Sequence, residues 1–114
     1  MPARIRRTAR SSMSKRQLAA LIDDATVDCY NESEAVTGFL TMIDDHLEVP
    51  FATVVLSVDV KVTGVELTER EEIVAVCVRG KQRQRIPICD LPLPSPPPSG
   101  AEWIEAYRHW AASA

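Results

Sequence analysis

The hydrophobic period changes at Val49-Pro50, and that change restricts the chain to folds that join a helical half to a stranded half. Before it, Leu18, Leu21, Ile22, Ala25 and Cys29 recur at helical spacing, and Val36, Phe39, Leu40, Ile43 and Leu47 resume the stripe. Ser14 with Gln17 three residues on makes a capping box for a first helix, and Asn31 with Glu34 could cap a second. Gly38 weakens the second part by roughly 1 kcal/mol relative to alanine. Proline disfavours helical backbone in the residue before it, so the helical part ends by Val49. The spacing predicts two helices, or one kinked helix, across 14–47. After Pro50 the runs "FATVVLSVDV", "KVTGVEL", "EIVAVCVRG" and "RQRIPICDL" are rich in β-branched residues and separated by short turns. Four or five short strands at this spacing predict a small antiparallel barrel or strongly bent sheet. Pro87 has no N–H and belongs on an edge or at a strand end.

A proline-rich spacer, "PLPSPPPS" over 92–99, follows the strands. Ser99 and Glu102 then form a capping-box pattern for a last helix, with Trp103, Tyr107 and Trp110 on one face. So short a helix does not persist alone, so its aromatic face is expected to dock on its own domain. Aromatics are only 5% of the 114 residues, so the core rests on aliphatic side chains. The cysteines Cys29, Cys77 and Cys89 are odd in number and lack C-x-x-C spacing, which suits a reducing cytoplasm. No stretch reaches transmembrane length.

Charge is segregated. Arg4, Arg6, Arg7, Arg10, Lys15 and Arg16 open the chain without an acid among them, so 1–13 reads as a disordered basic arm. Residues 17–60 carry Asp and Glu but no Lys or Arg, and the net charge is −3. Within "DDATVDCYNESE", a continuous helix would stack Asp24, Asp28 and Glu32 at i, i+4 and i+8, and like charges at that spacing repel. A solvated face is the ordinary reason for such a pattern. A bound cation is the other, since Ca²⁺ takes carboxylate and carbonyl oxygens and Asn31 offers an amide oxygen. Spacing alone favours the solvated face.

Other chemistries find less support. No EF-hand loop, P-loop, G-x-S-x-G or G-x-G-x-x-G is present. His46 and His109 are remote in sequence and the cysteines lack zinc spacing. No nucleophile–base pair argues for an enzyme. The basic arm and "RGKQRQR" over 79–85 could touch phosphates, but the strand region lacks aromatic platforms after Phe51, which argues against nucleic acid.

The segment "DCYNESEAVTGFLTMIDDHLEVPF" resembles the start of a family of small bacterial calcium-binding proteins of the non-EF-hand kind, first described from cyanobacteria. Asp28, Tyr30, Asn31, Glu32, Glu34, Gly38, Phe39, Asp45, Leu47, Pro50 and Phe51 carry the pattern. "IPICDLPL" and the closing "WIEAYRHWAA" are similar to later parts of the family, and the resemblance covers about 20–112. It implies Ca²⁺ binding by surface carboxylates, as buffer or sensor, without catalysis. Asp28, Glu32 and Glu34 stand where the family has acids. Asn31 replaces an acid, and "LTEREEI" is a shortened acidic loop that contains Arg70, so the resemblance implies a weakened site.

The expected architecture is α+β: helices over 14–47, an SH3-like antiparallel barrel over 51–91, the spacer, and a docked helix over 100–112, as one domain from residue 14 to 114. The expected metal ligands are Asp24, Asp28, Asn31, Glu32 and Glu34, joined by Asp44 or Asp45 if the two helical parts fold back. The alternative is a metal-free protein-interaction module with a degenerate calcium site. Both are expected in the cytoplasm, without a membrane role.

Overall fold

A computed structural model describes residues 13–113; the basic arm over 1–12 and Ala114 lie outside the described residues. Helix α1 (Lys15–Ala25) starts at the expected cap. The Gln17 amide donates to Ser14 Oγ at 3.1 Å, and the Ser14 amide donates to Gln17 Oε1 at 2.8 Å. At its end the Thr26 amide and hydroxyl both donate to the Ile22 carbonyl, at 3.0 and 2.7 Å. Asp28 then takes a left-handed φ of 61°, which a short polar side chain tolerates better than most. Helix α2 (Glu32–His46) begins anew at Asn31 and buries Ala35, Val36, Phe39 and Ile43. The helical part is therefore two helices.

Gly38 sits where α2 crosses the end of α1. A Cβ there would stand 2.1 Å from the Ala25 carbonyl oxygen. The glycine that weakens the helix in isolation is what lets the two helices approach.

Four strands follow: β1 (Phe51–Val55), β2 (Val58–Leu67), β3 (Ile73–Arg79) and β4 (Gln82–Pro87). They form an antiparallel meander in the order β1-β2-β3-β4. The first hairpin turns at Leu56 and Ser57, both at positive φ (50° and 65°), as a two-residue I′ turn demands. A bulge between Val62 and Gly64 bends β2. The sheet stays open, with β1 and β4 as its edges, so strand pairing does not close the expected SH3-like barrel. Helices take the place of closure: Val62, Ile73, Ala75 and Cys77 join Phe39, Ile43 and Ile104 in one core cluster. β3 is buried on both faces from Ile73 to Cys77. On its other face, Arg85 stands opposite Val76 in register and pairs with Glu66 at 2.7 Å. Pro87 closes edge strand β4, as its missing N–H requires.

Helix α3 (Ala101–Ser113) docks on its own domain. Trp103 and Tyr107 are buried, and the Phe39 ring meets Tyr107 edge-on at 5.4 Å. The expected Ser99–Glu102 capping box does not form. Gly100, at φ 89°, occupies the start instead, and a Cβ on it would lie 2.1 Å from the His46 carbonyl oxygen. The Ser99 carbonyl accepts from the Glu48 amide at 2.8 Å, so this junction ties α3 to the end of α2. Arg108 forks back from α3 onto the turn after β4. Its Nε and Nη2 donate to the Ile88 carbonyl at 3.1 and 2.9 Å, and Nη2 also donates to the Leu91 carbonyl. Burial raises the Tyr107 phenol above its usual range.

Candidate metal site at the start of the second helix

The acidic segment does not form one helical column. α1 stops at Ala25, so Asp24 lies in its last turn, Asp28 in the connecting turn, and Glu32 and Glu34 in the first turn of α2. All four are exposed. Two of the expected ligands serve the helix end. Asn31 Oδ1 accepts from the Glu34 amide at 2.9 Å. Glu34 Oε1 accepts from the Tyr30 amide at 2.6 Å. Carboxylates in a first turn also complement the positive end of the helix dipole, which accounts for Glu32 and Glu34 without a metal. The Cys29 thiol donates to the Glu34 carbonyl at 3.4 Å and closes the turn from inside.

Asp44 and Asp45 are not part of this group. They lie on α2 itself, twelve and thirteen residues beyond Glu32, which at helical rise separates them by about 20 Å.

The structure supplies a neighbour that sequence spacing does not predict. Ser33 Oγ donates to Glu71 Oε2 at 2.7 Å, across 38 positions of chain. Glu71 sits in the turn between β2 and β3 at a left-handed φ of 63°, with Glu69 and Glu72 beside it in sequence. The Thr68 hydroxyl accepts from the Glu72 amide at 3.1 Å and shapes that turn. A second acid-rich segment thus meets the start of α2.

Ca²⁺ requires six to eight oxygens at about 2.3–2.6 Å. Among the described residues, no three His, Cys, Asp or Glu side chains converge as such a shell needs. Asn31 Oδ1 and one oxygen of Glu34 already accept backbone amides. The side chains as placed therefore do not fit a ready-made calcium site. Elsewhere, the Arg85 guanidinium, with Arg83 near it, holds the Glu66 carboxyl below its ordinary range.

A small α+β domain with an acidic interhelical turn, a four-stranded meander and a docked last helix is the frame in which comparison with known proteins falls. Residues 20–111 match the sequence profile of the CcbP-type family, described as calcium binding, and the chain belongs to that family. The crystal structure of Anabaena CcbP shares its fold, with a TM-score of 0.67 at 17% identity over 88% of this chain and 93% of that one. No functionally curated protein matches the sequence.

Proposed function

We propose that this protein binds Ca²⁺ weakly, through Asp28, Glu32 and the free oxygen of Glu34, with Asp24 beside them and Glu71 approaching from the β2–β3 turn. The reading rests on the Ser33–Glu71 hydrogen bond, which joins two acid-rich segments distant in sequence. Family membership supplies the ion. Because the oxygens are not gathered in advance, ion binding must draw the two turns together. Binding and a local change of shape then go together, which suits a sensor better than a passive buffer. The side chains bind and do not catalyse. Three free thiols agree with residence in the reducing cytoplasm, and no helix among the described residues is long and apolar enough to cross a membrane.

A second reading is a metal-free interaction module on the same fold. That no three carboxylates converge among the described residues favours it. Calorimetric titration of Ca²⁺ into chelator-treated protein, with Mg²⁺ as competitor, separates the two. Saturable heat weakened both in Asp28→Asn/Glu32→Gln and in Glu71→Gln supports the calcium reading. Silence up to millimolar Ca²⁺ overturns it and leaves the module.

A further inference from the structure

Strands of a meander alternate in direction, so the β1–β2 and β3–β4 turns lie at one end of the sheet and the β2–β3 turn at the other. The two ends differ in charge. The β2–β3 turn carries Glu69, Glu71 and Glu72 and meets the acidic start of α2. The other end is basic. The two hairpins and the proline-rich segment, over 51–67, 73–87 and 91–99, hold five cations (Lys61, Arg79, Lys81, Arg83 and Arg85) and two acids, Asp59 and Glu66. Arg85 and Arg83 engage Glu66. Lys61, Arg79 and Lys81 are exposed and make no ion pair among the described residues.

Register sets the heights. Lys61 pairs with Val78 and Val78 with Arg83, so the three share a row. The Gly80–Lys81 turn stands two residues beyond that row, and the Leu56–Ser57 turn four. At about 3.4 Å per residue, Leu56 leads Lys81 by about 7 Å. Leu56 is 92% exposed, and Val54 behind it is 49% exposed. This end of the molecule is an apolar point with cations set back from it. Leu56 also holds φ 50° in a turn that prefers Asn-Gly. A bulky residue in the left-handed region costs stability, and such strain gathers where a surface is used.

We infer that this end of the sheet is a contact for an anionic lipid surface, with Leu56 entering the headgroup layer and Lys61, Arg79 and Lys81 meeting lipid phosphates. A protruding apolar tip suits a fluid surface that closes around it, whereas a rigid partner would need a matching pocket. Interfacial segments bury their apolar part about 5–10 Å deep, and at that depth the 7 Å lead brings Lys81 to the headgroups. Charge sets the orientation. Asp59 is the one acid on the β1–β2 hairpin near the tip. Asp44, Asp45 and Glu48 precede Phe51, at the far end of β1, about 17 Å of strand from the turn. The Glu69–Glu72 turn lies about 30 Å away along β2. Both separations exceed the Debye length of about 8 Å at physiological salt, so the basic end meets the surface. The contact departs from the expectation of no membrane role, but a surface contact needs no spanning helix. It is independent of the calcium reading.

The test is co-sedimentation of the full chain, in chelator, with vesicles of phosphatidylglycerol in phosphatidylcholine. Saturable binding is expected, falling as salt rises and about tenfold weaker to phosphatidylcholine alone. Leu56→Asn should bind about tenfold more weakly yet melt no lower than the parent, because asparagine suits the turn. Lys81→Glu should also weaken binding about tenfold. A spin label on the lipid headgroup should broaden the amides of 54–57 and 80–82 first. No saturable binding, equal binding to neutral vesicles, or broadening centred elsewhere overturns the proposal. So does vesicle binding that Leu56→Asn and Lys81→Glu leave unchanged, since the basic arm over 1–12 then holds the lipid. An oligonucleotide bound in place of vesicles, and weakened by Lys81→Glu, also overturns it, since the basic end then serves nucleic acid.

Discussion

Gly38→Ala sets two effects of opposite sign against each other. Alanine in a helix interior is favoured over glycine by about 1 kcal/mol, so an open site would gain. At Gly38 the new methyl would stand 2.1 Å from the Ala25 carbonyl oxygen and 3.2 Å from its carbon, where ordinary contact is 3.4–4 Å. The obstacle is backbone, fixed by the hydrogen bonds that end α1, and cannot swing aside as a side chain would. Overpacking costs about 1–3 kcal/mol, occasionally more, and a backbone clash belongs at the top of that range. The net is a loss of about 2 kcal/mol, or a fall in Tm of about 8 °C for a domain of this size. Thermal and urea melts followed by circular dichroism read it directly. Gly64→Ala is the control, because nothing lies within 4 Å of a Cβ there, and it should not lower Tm. A Gly38→Ala protein as stable as the parent, or more so, would refute the close crossing of α1 and α2.

Three further outcomes follow from the contacts described. Asn31→Ala should cost about 1 kcal/mol in urea melts as a lost helix cap, yet leave calcium affinity unchanged if the amide oxygen serves only the Glu34 amide. Arg108→Met should cost about 2–3 kcal/mol, because the Ile88 and Leu91 carbonyls lose a charged donor; a urea midpoint unmoved by the change removes the clasp from the account. Glu66 has a folded pKa below its ordinary 4.5, so its pairing stabilises above about pH 4.5 and that contribution fades as pH falls through the folded value; NMR titration should move the carboxyl up towards its ordinary range in Arg85→Ala, with Arg83 still holding it somewhat down, and the stability gap between the two proteins should narrow in acid.

What sequence reveals here is local chemistry. The Ser14–Gln17 box, the cap at Asn31, the edge position of Pro87 and the inward aromatic face of the last helix all follow from residue type and short spacing. The first hairpin does not. Its turn uses Leu56 and Ser57 where Asn-Gly would announce it, so residue type alone places the strand break at Val60-Lys61, whereas β2 runs from Val58 through Leu67. The capping pattern at Ser99 misled because Gly100 is needed for the close approach to His46, a tertiary demand invisible in four residues. The candidate site divides in the same way. The acidic segment is plain to see, but an unbroken helix was required to align Asp24, Asp28 and Glu32, and Thr26 and Asp28 end it. Glu71 meets Ser33 only because the sheet folds back onto α2, and no spacing rule reaches across 38 positions.

The placement of β3 fixes how the protein breathes. Its residues are paired on both sides and covered on both faces. No partial opening can expose its amides to water, so their hydrogen–deuterium exchange should proceed through complete unfolding alone. The slowest amides in Ile73–Cys77 would then report the free energy of the whole fold. The exposed turn at Asp28–Tyr30 should exchange far sooner, and any slowing there on adding an ion would be visible against that fixed background.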